Sequence, residues 1–145
     1  MEKSEPVSPN SFILRITKQE WFNQVFAIKK YYPGIGRRWE PGGIILLARK
    51  SGDRDAFVGY GVLERFVERS QLPEKERTEC ERMRWKGVLV FNDLFRFKPP
   101  LPIKETALGE TNARGRCFHG YPLTERQLKS VLDKAREECA VVRID

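Results

Sequence analysis

"GGIILLARKSGDRDAFVGYGVLERFV", residues 42 to 67, carries the reading that decides the fold. "GIILLARK" is a short, continuous apolar run, which predicts a central strand over 43–50. "SGDRD" has turn composition. "AFVGYGVLERFV" returns as a second strand over 56–67, so the two form a hairpin. Gly59 and Gly61 fall on one face of that strand. They mark a bend or a place where something approaches the backbone closely.

Working outward from the hairpin, "SFILRI" (11–16) predicts a buried strand. The ten residues before it, "MEKSEPVSPN", are polar with two prolines and are expected to be a mobile N-terminal segment. Thr17 with Glu20 has capping-box spacing, and Ile16 with Trp21 has hydrophobic-staple spacing. A helix is therefore expected from near Lys18 to near Lys30, with Trp21, Phe22, Val25 and Phe26 as its apolar stripe. Residues 72–85 predict a second helix, with Pro73 in its first turn and a thin apolar side of Cys80 and Met83. "GVLVFNDLFRF" (87–97) predicts a long strand, ended or redirected by "KPPLPI". Residues 104–122 read as a long loop. Thr124 with Gln127 and Leu123 with Leu128 repeat the box and the staple ahead of a third helix. "AVVRI" (140–144) closes the chain as a strand. The order β-α-β-β-α-β-loop-α-β predicts one α+β domain over 11–145, with a mostly antiparallel, curved sheet.

The 145 residues are 40% hydrophobic and 32% charged, which suits one globular domain with a real core. A net charge of +7 points to an anionic partner, nucleic acid first, or else to a highly charged surface. Cys80, Cys117 and Cys139 are odd in number, widely spaced and without a CxxC pair. With one histidine, neither a disulfide framework nor a zinc site is expected, and a reducing cytoplasm fits best. No apolar run reaches membrane-span length and no signal-peptide pattern opens the chain, so no membrane partner is expected.

The sequence offers little for catalysis. His119 stands beside Arg116 and Cys117 without a nucleophile signature. "GIG" (34–36) is not a dinucleotide fingerprint, and "GETNARG" (109–115) lacks a phosphate-binding lysine. No cofactor is expected. Two loops interleave cations with aromatic rings, the pattern that binds phosphates and stacks bases. In "KKYYPGIGRRW" (29–39), Lys29, Lys30, Arg37 and Arg38 would hold phosphates, and Tyr31, Tyr32 or Trp39 would stack a base. The alternative is that Trp39 and the tyrosines close the core beneath the first helix. In "NARGRCFHGY" (112–121), Arg114, Arg116 and His119 would form an opposite wall. Asn92 interrupts the 87–97 strand, either to read a base edge or as a bulge.

The order of these features resembles the PUA-like superfamily, on its EVE, ASCH and YTH side. The resemblance covers roughly 11–136. It runs through "FILRIT" with "KQEWFNQV", the strand start "WEPGGIILLARKSGD", then "AFVGYGVLERF", "WKGVLVFNDLFRFKPPLPI" and "RGRCFHGYPLTERQLKSVL". It is similar also to a small archaeal group with this fold. The resemblance implies a five- or six-stranded, barrel-like sheet flanked by about three helices. It further implies a non-catalytic module binding RNA or a modified nucleobase in an aromatic and polar pocket. Gly42–Gly43 departs from the family's Gly-Asp, and an expected tyrosine is missing from "LLARK". Alternatives are an ASCH-type hydrolase of a modified nucleoside using Lys18 or Lys104, or a protein-interaction module using helix 72–85.

Overall fold

A computed structural model of the chain describes residues 7–110 and 118–145. Seven strands and three α-helices follow in the order β1 (Val7–Arg15), α1 (Gln19–Ile28), β2 (Lys30–Tyr31), β3 (Ile44–Ser51), β4 (Arg54–Glu68), α2 (Glu74–Met83), β5 (Gly87–Pro102), β6 (Pro122–Thr124), α3 (Glu125–Glu138) and β7 (Ala140–Arg143). The strands form one sheet in the order β2-β5-β4-β3-β1-β6, with β7 also paired to β5. β1 and β3 are parallel, and every other pairing is antiparallel. The fold is α+β, as expected. The sheet is open among the described residues: β6 forms one edge, and β2 and β7 share the other.

The apolar run of β3 follows from cover on both faces. Ile45 and Leu47 pack with Leu14, Phe22 and Val25 beneath α1. Leu46 and Ala48 pack with Ile13, Val131 and Ala135 beneath α3. α2 packs at the end of the β4–β5 ribbon, where Cys80 meets Leu72 and Val88. Gly59 lies where β4 crosses β5: a Cβ there would collide with the Phe95 carbonyl oxygen. The close approach read from the glycines is thus one of backbone at Gly59 and of the Phe91 and Leu94 side chains at Gly61.

Several boundaries differ from the sequence reading. β1 begins at Val7, inside the segment expected to be mobile, because Val7 pairs with Thr124 of β6. β5 runs through the prolines to Pro102. Pro99 and Pro100 fall between the pairs Gly59–Arg96 and Phe57–Leu101, where the register shifts, so their missing N–H groups break no ladder bond to β4. Two short strands, β2 and β6, come from stretches read as loops. The Thr124–Gln127 capping box is present, with both bonds at 3.0 Å. The Thr17 box is not: Lys18 is the N-cap of α1 and makes no side-chain cap bond.

Candidate functional site

The ends of β1, α1, β2 and α2 and the turn before β6 together line a cleft of about 460 Å³. Arg15 and Thr17 come from the β1–α1 junction and Trp21 from the first turn of α1. Tyr31, Tyr32 and Ile35 come from β2 and the loop after it, Met83 and Trp85 from the end of α2, and His119 from the turn before β6.

Aromatic rings make the walls. Trp85 stacks on Tyr32 with centroids 5.0 Å apart and meets Trp21 edge-on at 6.1 Å. These are favourable aromatic geometries, and they hold Trp85 from two sides. The Tyr32 hydroxyl donates to Glu76 Oε2 at 2.8 Å, tying this wall to α2. Burial raises the Tyr32 pKa, and the Glu76 carboxylate raises it further. Tyr31 is 5% exposed, and burial pushes its pKa up to about 12. It belongs to the core and gives the cleft its floor.

Polar groups enter from the other side. The Arg15 backbone N–H donates to His119 Nδ1 at 3.0 Å. In a neutral imidazole the proton must then sit on Nε2. Burial lowers the His119 pKa, and the charges of Arg37 and Arg15 lower it further. Arg37 fixes this turn: its Nε donates to the Gly120 carbonyl at 2.8 Å and its Nη1 to Gly36 O at 2.7 Å. Gly120 has φ +79°, and a Cβ there would press on Ile35 and the Arg37 guanidinium. The glycine lets the two loops close on each other.

A second cleft, of about 650 Å³, lies on the other side of Arg15. Its polar lining is Lys50, Asp53, Arg54, Asp55 and Lys104. The Arg15 guanidinium makes a two-point ion pair with Asp55, at 2.9 and 3.1 Å. Lys104 belongs to this cleft, whereas Lys18 sits 4.9 Å over the Trp21 ring at the first one. The two lysines considered as hydrolase bases are therefore not brought together.

The residues singled out in the sequence divide clearly. Tyr31, Tyr32 and His119 line one cleft, and Arg37 supports it. Trp39 does not line it. It is 9% exposed and packs edge-on against Phe12 at 5.2 Å, in the core beneath α1. Of the two roles open to it, the structure gives Trp39 the core-closing one. Lys29 is the left-handed C-cap of α1, Lys30 pairs with Val90, and Arg38 is exposed; none lines the cleft. Asn92 is exposed and is the unpaired residue between the pairs Leu63–Phe91 and Val62–Asp93, which is a bulge. Arg114 and Arg116 lie outside the described residues.

Trp21, Trp85 and Met83 were not read as site residues. Trp21 was accounted for by the core stripe of α1, and nothing local marks Trp85. Among the described residues no group of His, Cys, Asp and Glu could hold a metal ion, and no helix is long and apolar enough to cross a membrane. Among the described residues the exposed large apolar side chains are Ile28 and Val142, neither of them on α2. No family model, curated protein or solved structure matches the chain.

Proposed function

We propose that the protein is a non-catalytic nucleic-acid-binding module of PUA-like type that takes a base of single-stranded RNA into the cleft between Trp21, Tyr32 and Trp85. The observation that carries this reading is the junction of a held aromatic wall with a polar turn in one cleft of about 460 Å³, on a chain of net charge +7. Aromatic faces stack bases of any sequence, and hydrogen-bonding groups at the rim read their edges. Arg15 and Lys18 stand at this wall, Arg37 holds the turn beside it and Arg69 donates to the Trp85 carbonyl at 3.2 Å; the backbone phosphates would run past such cations. The α+β class and the largely antiparallel order are in keeping with that type, whereas the sheet has seven strands and is open among the described residues instead of a five- or six-stranded barrel.

Titration of fluorescent single-stranded RNA at two salt concentrations tests the proposal. The expected result is binding at micromolar protein that weakens as salt rises, because each neutralised phosphate releases counterions. Salt-independent binding, or none, would refute it.

A further inference from the structure

We infer that the cleft selects an uncharged planar ring that offers a hydrogen-bond acceptor to His119 Nε2–H, and that it disfavours a cationic, N-alkylated ring. This deepens the base-stacking proposal and rests on it.

His119 Nδ1 is occupied by the Arg15 backbone N–H at 3.0 Å, so the imidazole is held in one tautomer with the opposite nitrogen protonated. Among the described residues Nε2 has no partner. A ring entering beside it meets a donor, which rewards a carbonyl oxygen or an unprotonated ring nitrogen.

The charge around the cleft points the same way. No Asp or Glu lines it among the described residues. Of the carboxylates bonded to lining residues, Glu76 accepts from the Tyr32 hydroxyl and Asp55 pairs with the Arg15 guanidinium. Arg15 lines the cleft, and Arg37 sits close enough to disfavour a charge on His119. An aromatic face attracts cations, but Lys18 Nζ is already 4.9 Å from the Trp21 ring centroid. A bound cation would meet Arg15, whose own charge Asp55 offsets at 2.9 Å, and Lys18 on the Trp21 ring, and among the described residues no carboxylate lines the cleft to favour it. Aromatic cages that prefer cations need the opposite balance.

The test measures quenching of tryptophan fluorescence by guanosine, 7-deazaguanosine and 7-methylguanosine monophosphates. All three keep the O6 acceptor and the phosphate, and only the last carries a positive ring. The expected result is that 7-methylguanosine monophosphate binds about tenfold more weakly than the two nucleotides with uncharged rings. His119→Phe should weaken all three by about tenfold and leave the gap between them, since it keeps a ring but removes the donor that each O6 meets. Equal or tighter binding of the cationic nucleotide would overturn the inference while leaving base stacking intact. Failure of all three to bind would overturn both. The comparison on the unaltered chain decides the charge question even if the substitution impairs folding.

Discussion

His119 Nδ1 accepts a hydrogen bond from the backbone N–H of Arg15, across 104 positions of sequence. The bond joins the end of β1 to the turn before β6. It also sets which face of the imidazole is a donor and which an acceptor. His119 in this setting has a pH signature. Burial, then Arg37 and Arg15, hold the folded-state pKa of His119 below its ordinary 6.5. As pH falls, the unfolded chain takes up this proton first. The stabilisation is complete above 6.5 and is lost as pH drops from there toward the lower folded-state value. The urea midpoint should therefore fall between about pH 8 and about pH 5 by more in the native chain than in His119→Gln. Identical pH slopes would contradict the assignment.

The two capping boxes separate by mutation. Thr124→Ala should cost about 1 kcal/mol, because the side chain accepts from Gln127 N and the box is complete. Thr17→Ala should cost less than about 0.5 kcal/mol, because the α1 cap is Lys18. Chemical denaturation measures both.

Trp39 should behave as a core residue. Trp39→Ala should cost about 3–5 kcal/mol from lost packing against Phe12 and its neighbours. Trp39→Phe should cost much less, since the buried indole Nε1 has no hydrogen-bond partner to lose. Trp39→Phe should also leave RNA affinity unchanged. A folded Trp39→Phe chain with tenfold weaker RNA binding would put Trp39 back in the site.

Tyr32 and Glu76 brace the wall. Tyr32→Phe should cost about 1 kcal/mol by removing the 2.8 Å bond to Glu76. It should alter the near-ultraviolet dichroism, because Tyr32 stacks on Trp85. An unchanged spectrum and stability would show the bond to be incidental.

The physics explains what the sequence could disclose. β3 was legible because continuous burial leaves a continuous apolar run, and α3 because its cap and stripe are local. The matching Thr17–Glu20 spacing misled because a capping box also depends on how the chain arrives. Here Lys18 takes the cap, and Thr17 stands at the cleft. Tyr31, Tyr32 and His119 stood out by local chemistry. Trp85 did not, since its role comes from Tyr32 and Trp21, neighbours in space and not in sequence. Pro99 and Pro100 read as a strand end because a bulge that excuses them cannot be seen locally.

The central claim is that a base stacks in the cleft walled by Trp85. Fluorescence anisotropy with an RNA oligomer and an abasic oligomer of the same length, on the native chain and Trp85→Ala, tests it most directly. The account predicts that Trp85→Ala weakens RNA binding by about 1–3 kcal/mol and leaves the weaker abasic binding unchanged. Equal affinity of the native chain for both oligomers, or equal weakening of both by Trp85→Ala, would contradict it.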